Sequence, residues 1–289
     1  MTAPGTLYLI ATPIGNLEDI TLRALRTLAG VDLLYAEDTR AAAVLLDRHQ
    51  IDRSGGVRSC FEGNEAERAA EILAALQSGQ SVGYISEAGT PGVSDPGQRL
   101  AAQAIAGGAH VVALPGASAV LTALVGSGLP TERYYFVGFP PREAGPRQQL
   151  YGSLRTIPAT LVIYEAPHRA AESLTDLCLA LGEERPACVA RELTKVYEEY
   201  RRGTLGALRD HYVAEAARGE LCLIVGGAVE GQVAPSEEEL EEEIRRRLGL
   251  GESTKQLAAA LSLKTGLPRR QLYQLALQLQ QALERDRDS

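Results

Sequence analysis

The residues best suited to chemistry lie in four turns, three of them rich in glycine and proline, each placed directly after a short apolar run. Thr12-Pro13-Ile14-Gly15-Asn16-Leu17 is the first. It lacks the G-x-G-x-x-G pattern of dinucleotide sites, and a tight βα turn with a left-handed glycine explains it as well as a ligand does. In the second, Glu37-Asp38-Thr39-Arg40, an acid can hold ribose hydroxyls, or Asp38 can cap the next helix. The third runs Ser86-Glu87-Ala88-Gly89-Thr90-Pro91-Gly92-Val93-Ser94-Asp95-Pro96-Gly97 and carries three glycines, two prolines, two acids and three hydroxyls. Such a loop exposes backbone N–H and C=O groups with no bulky side chain in the way. It can cradle an adenosyl or methionyl group, with Glu87 toward the ammonium or hydroxyls. The fourth, Leu114-Pro115-Gly116-Ala117-Ser118-Ala119, repeats the theme, with Ser118 donating to a ligand or starting a helix.

Two polar clusters follow later in the chain, Tyr164-Glu165-Ala166-Pro167-His168-Arg169 and Arg191-Glu192-Leu193-Thr194-Lys195. Both signs of charge at strand ends suit a polar substrate. His168, Glu165 or Lys195 can assist removal of a hydroxyl proton; spacing does not choose among them. The chain has no P-loop, no G-x-S-x-G elbow and no zinc-type ligand spacing, so no metal is expected.

Elements that must position these turns can be read from periodicity. Strands are expected at 7–11, 31–36, 81–86 and 110–114, with helices at 21–29, 39–49, 64–76 and 117–125 between them. Asn64 and Glu67 read as a capping box, and Asp95-Pro96 as a helix start with the acid at N-cap. This alternation implies a largely parallel sheet with helices on both faces. Further on, strands at 134–137, 160–164, 187–190, 194–201 and 221–225 with helices at 168–181 and 205–217 imply a mixed sheet. Pro140 to Gln149 reads as an exposed basic loop. In the tail, Ser236 caps a Glu-rich helix ending in Arg245-Arg246-Arg247, a charge order that suits the helix dipole. A second helix begins at Ser253 or Thr254 and runs to Leu261. Gly266-Leu267-Pro268 breaks it, and a third spans 269–283. Helix-turn-helix spacing and a plain stabilising bundle describe this tail equally well.

The 289 residues suit about two domains and a small extra module. A net charge of −8 argues at first against nucleic acid. Glu230, Glu237, Glu238, Glu239, Glu241, Glu242 and Glu243 supply most of it, however, leaving the rest close to neutral. The cysteines, Cys60, Cys178, Cys188 and Cys222, form no C-x-x-C pair and read as small buried hydrophobes in a reducing compartment. With no basic n-region and no long apolar run, a soluble cytoplasmic protein without membrane contact is expected.

The ordered motifs T-P-I-G-N-L, A-E-D-T-R, N-E, S-E-A-G-T-P with D-P-G, L-P-G-x-x-A, Y-E-x-x-H-R and A-R-E-L-T-K resemble the ribosomal RNA small subunit methyltransferase I family over roughly residues 6 to 226. The tail, with Gln271-Leu272-Tyr273, resembles that family's C-terminal module. The resemblance implies an α/β protein of two-domain tetrapyrrole-methylase-like (class III methyltransferase) fold, with domains at 1–116 and 117–230 and a helical RNA- or partner-binding module at 231–289. It implies S-adenosylmethionine as the donor, held by Pro13, Glu87, Ala88, Gly89, Thr90, Ser118 and Ala119, with Tyr164 and Glu165 nearby. It also implies a homodimer that methylates the ribose 2'-oxygen of a cytidine in 16S rRNA of the small ribosomal subunit. Arg40, Arg142, Arg147, Arg169 and Arg191, with Arg201 and Arg202, would then meet the RNA. The chain departs from the family twice. Glu87 stands where the family has Asp, one methylene further out, and Phe61-Glu62-Gly63-Asn64-Glu65 replaces H-D-H-N-E. Two other readings compete: a small-molecule methyltransferase of the same fold, which would need neither the tail nor the Arg-rich loop, and a non-catalytic nucleotide- or RNA-binding module, which would need fewer polar clusters.

Overall fold

Short apolar runs become parallel strands because helices cover both of their faces. A computed structural model describes residues 4–228, 237–265 and 267–287, and side chains except those of 237–239, 263, 264 and 283–287. The chain forms two compact units. The first holds the residues up to Thr122 together with Glu192–Glu198; the second holds Ala123–Arg191 and the chain from Glu199 on.

In the first unit, β1 (Thr6–Ile10), β2 (Leu33–Ala36), β3 (Arg58–Ser59), β4 (Val82–Ile85) and β5 (His110–Leu114) form a sheet ordered β3-β2-β4-β1-β5. Every pairing is parallel, with Leu9 opposite Tyr84 on one side and Ala113 on the other. α1 (Leu22–Gly30) and α2 (Thr39–Arg48) pack with Ile10, Leu34 and Leu114 in one apolar cluster. α3 (Glu65–Gln77) and α4 (Gln98–Ala106) pack with Leu7, Tyr35 and Tyr84 in another. α5 (Ala119–Ser127) follows β5. Thr21 caps α1 by accepting from the Ala24 N–H, and Asp38 caps α2 by accepting from Arg40 and Ala41. Two expected starts differ. Asn64 makes no cap: its side chain accepts from the Phe61 N–H and donates to the Ser59 carbonyl, a local turn that competes with the helix. Asp95-Pro96 stays in the preceding turn, and Gly97, at φ 124, precedes α4 instead.

In the second unit, β6 (Tyr134–Gly138), β7 (Thr160–Glu165), β8 (Pro186–Arg191), β9 (Glu199–Thr204) and β10 (Leu221–Val225) are ordered β6-β7-β10-β8-β9. Only β6–β7 is parallel, so the sheet is mixed. α6 (Ala144–Ser153), α7 (Ala170–Leu181) and α8 (Leu205–Ala214) pack on alternate residues Leu161, Ile163, Val189, Leu221 and Leu223. Residues 140–149 are not the expected exposed loop, because α6 starts at Ala144 and Arg147 is buried. The expected strand at 194–201 begins only at Glu199. α9 (Glu237–Gly249), α10 (Thr254–Thr265) and α11 (Arg269–Arg287) form the helical C-terminal module. Its own core includes Ile244, Leu257, Leu261, Leu272 and Ala276. Ser236 and Gly266 lie outside the described residues.

All four cysteines are buried and unpaired. Burial pushes the Cys60 and Cys188 thiols up to about 11 and Cys222 up to about 12, so they stay protonated near neutrality. Among the described residues, no helix is long and apolar enough to cross a membrane.

Candidate active site

The order of the parallel sheet puts the carboxyl ends of β2, β4, β1 and β5 side by side, the position where open α/β sheets bind ligands. Backbone and side-chain bonds then tie the four turns into one assembly. Thr12 and Gly89 exchange N–H···O bonds of 2.8 and 3.0 Å, joining the β1 and β4 turns. The Glu87 N–H donates to Glu37 Oε2 at 3.1 Å, joining β4 to β2. Thr90 Oγ1 donates to the Ala117 carbonyl at 3.2 Å, joining β4 to β5. Gly89 needs its glycine on two counts: φ is 75, and a Cβ would sit 3.3 Å from Ile14. A Cβ on Gly116 would come within 2.7 Å of the Ala11 side chain, so those two turns meet at backbone distance.

Pro13 and Glu87 line a cavity of about 230 Å³ with Thr12, Leu17, Ala41, Leu45 and Ser86. Gly89, Thr90, Ser118 and Ala119 lie in the tied turns but do not line it. Glu87 and Ala88 are exposed; Ser118 and Ala119 are half-buried. Thr12 is 3% exposed, and its hydroxyl has no hydrogen-bond partner among the described residues. Asp95 lies in the same loop and binds its proton tightly. Burial first, then the charges of Glu37 and Glu87, push its carboxyl up to about 6, against a Ser86 hydrogen bond that opposes them.

The segment Glu192–Glu198, which links β8 to β9, folds as part of this first unit and carries Lys195. It lies so close to the first turn that a Cβ on Gly15 would be 2.5 Å from Lys195 Cγ and 2.8 Å from Thr194 Oγ1. Glu192 and Thr194 both hold positive φ, strain of a kind that tends to collect at functional sites. Lys195 Nζ donates to Glu192 Oε1 at 3.0 Å.

In the second unit, β7 delivers Tyr164 and Glu165, and a one-turn 3-10 helix, Pro167–Arg169, delivers His168. The buried Glu165 accepts from the Ala166 N–H at 2.8 Å and lies 3.4 Å from Arg169 Nε; its Oε2 has no hydrogen-bond partner among the described residues. His168 is exposed. Several arginines are committed to partners within the second unit. Arg147 donates to Asp176 at 2.7 Å, Arg191 to Glu199 at 3.2 Å and Arg202 to the Ser127 carbonyl at 3.0 Å. Arg40 is exposed but paired with Asp38 at 2.8 Å, and Arg142 is exposed.

Residues 6–209 match the tetrapyrrole (corrin/porphyrin) methylases. The chain is 47% identical to the ribosomal RNA small subunit methyltransferase I of Synechocystis sp., over 96% of its own length and 99% of that relative. It is 53% identical to the protein of the same name from Mesorhizobium japonicum, over 77% and 75% of the two chains. The chain belongs to the ribosomal RNA small subunit methyltransferase I family. Diphthine synthase shares the methyltransferase's fold, with a TM-score of 0.61 at 15% identity over 77% of this chain and 90% of that one.

Membership makes S-adenosylmethionine the methyl donor, and the first unit fits such a ligand. The methyltransferase offers an orphaned buried hydroxyl at Thr12 and a carboxylate at Glu87 for an ammonium or ribose. The sequence singles out the turns that hold Thr12 and Glu37, but neither the orphaned Thr12 hydroxyl nor the Glu37 bond to the Glu87 N–H is foreseen from it. A hydroxyl directly at the end of β1 is a signal that could have found Thr12. The Glu37 bond to the Glu87 backbone spans 50 positions, and no local pattern announces it.

Proposed function

We propose that this methyltransferase moves a methyl group from S-adenosylmethionine to the ribose 2'-oxygen of a cytidine in 16S rRNA of the small ribosomal subunit, acting as a cytoplasmic homodimer. One observation carries the RNA reading: likeness to the small-subunit rRNA methyltransferases extends over 96% of the chain and so through the C-terminal module, which a small-molecule substrate would not need. The donor, when bound, supplies a methyl carbon already activated by a sulfonium. Pro13, Glu87, Ala88, Gly89, Thr90, Ser118 and Ala119, with Tyr164, hold and orient it. Fixing the 2'-oxygen in line with that carbon supplies most of the rate. His168 is our choice of base for the 2'-hydroxyl proton, because Glu165 and Lys195 are already engaged with Arg169 and Glu192. Arg40 and Arg142, both exposed, would meet phosphate.

Incubation with labelled donor and purified small subunits, naked 16S rRNA or a tetrapyrrole tests this reading. Label is expected in RNA, recovered as 2'-O-methylcytidine after digestion. Label only in a small molecule, or in a base, overturns it.

A further inference from the structure

The second unit also holds a largely exposed aromatic side chain to which the site above gives no part. Phe139 is 61% exposed, yet its ring is not loose. It leans on Tyr164 with centroids 5.3 Å apart, and Tyr164 in turn meets Phe136 edge-on at 5.0 Å. The backbone beside it is fixed as well. Pro140 and Pro141 restrict φ and remove two donors. The carbonyls of three successive residues are held by two arginines from helical segments. Arg169 donates to the Pro140 and Pro141 carbonyls at 3.2 and 2.9 Å, and Arg147 to the Arg142 carbonyl at 3.1 Å. Each guanidinium is itself anchored by a buried carboxylate, Glu165 for Arg169 and Asp176 for Arg147. Side-chain exposures of 13% and 4% leave neither arginine open to a large ligand. Arg142, between them in the chain, is exposed.

We propose that Phe139-Pro140-Pro141-Arg142 is a preorganised platform for one unstacked base of single-stranded RNA. Phe139 takes the face of the base and Arg142 the adjoining phosphate, while Arg147 and Arg169 position the loop instead of touching phosphate. The inference rests on the RNA reading above and adds a binding site to it. Single-stranded RNA is the occupant that matches a rigid exposed ring beside a guanidinium, because splayed bases stack on such rings whatever their identity. A duplex keeps its base faces covered. Glu143 follows Arg142 and offsets its charge, so stacking carries more of the affinity than charge, and salt dependence is shallow.

Binding of oligocytidylate, measured without donor at several salt concentrations, tests the platform. Phe139→Leu keeps an apolar contact with Tyr164 but lacks a π face. It should weaken binding by roughly tenfold or more, the scale of one lost stack, while Phe139→Tyr retains it. Arg142→Gln should lower the salt slope by about one; Arg169→Gln should weaken binding with the slope unchanged. The chain contains no tryptophan, so Phe139→Trp places a single indole on the platform. Single-stranded oligocytidylate should quench it and a duplex of equal length should not. Wild-type affinity in Phe139→Leu, or equal quenching by duplex, overturns the platform and leaves the RNA reading standing. Failure of the unaltered protein to bind oligocytidylate, 16S rRNA and small subunits alike brings down both.

Discussion

At the scale of single residues, the candidate site separates holding the donor from moving a proton. Glu87 lines the cavity, and the backbone N–H of the same residue is tied to Glu37. A charge-assisted bond from its carboxylate is worth about 1.5–3 kcal/mol. Glu87→Ala should therefore weaken donor binding by calorimetry at least roughly tenfold and abolish methylation. Normal donor affinity in that variant removes Glu87 from the donor set. His168→Ala should instead lower turnover with donor binding kept. Asp95 supplies a pH signature for the same loop. Its folded-state pKa, about 6, lies above the 3.8 ordinary for an aspartate. The native chain therefore binds more protons between those values, and stability falls as pH rises through that window. Above it the carboxylate is ionised in both states, and the penalty is fully present. Asp95→Asn should raise the melting temperature at pH 8, by the equivalent of roughly 1 kcal/mol after solvent screening. At pH 4 it should match the unaltered protein. An equal difference at both pH values shows that Asp95 does not titrate in this way.

At the scale of elements, one glycine governs how the Lys195 segment sits. Three atoms of that segment would lie within 2.9 Å of a Cβ on Gly15: Lys195 Cγ, Thr194 Oγ1 and the Leu193 carbonyl. Gly15→Ala must push the segment off the first turn, and two of its residues are already strained. Methylation should fall at least tenfold while the sheet survives, which far-ultraviolet circular dichroism beside the activity assay would show; unimpaired activity would mean that the seating of this segment on the first turn does not matter to the reaction. Legibility in the sequence followed the same physical line. β4 and β10 were readable because strands buried on both faces are continuous apolar runs, and β1 and the partly exposed edge strand β5 because most of their residues are apolar. The Lys195 segment imitated a strand because Thr194, Val196 and Tyr197 favour extended structure, yet Val196 is 94% exposed and pairing starts only at Glu199. α6 was hidden by Gly145 and Pro146 in its first turn, where proline is tolerated. Arg147 looked like a surface charge because its partner Asp176 stands 29 positions away on α7. The glycine turns were legible as turns, but the bonds that tie them join residues 27 to 77 positions apart.

At the scale of the whole molecule, charge and module belong together. The acidic excess is concentrated near and within α9, whose arginines pair with its own acids: Arg246 with Glu243 at 2.8 Å and Arg245 with Glu241 at 3.6 Å. Part of that charge is offset within α9, and the excess is confined to one stretch of the chain, so a net charge of −8 does not repel RNA evenly from the protein. The module also has a core of its own, with Leu257, Ala258 and Leu272 fully buried, while every candidate donor residue lies before residue 166. Within the second unit, α10 rests against α6 and α7, the two helices that carry Arg147 and Asp176. Removing residues 231–289 should therefore leave donor affinity within about twofold, since no donor contact goes with them. It should also expose apolar surface on α6 and α7 and lower stability by several kcal/mol, at about 25 cal/mol for each Å² uncovered. Transfer to small subunits should drop far more than donor binding. If the shortened chain methylates subunits at the full rate, the module is a stabilising bundle and nothing more. If it loses the donor as well, the module supports the donor turns through contacts that its separate core gives no reason to expect.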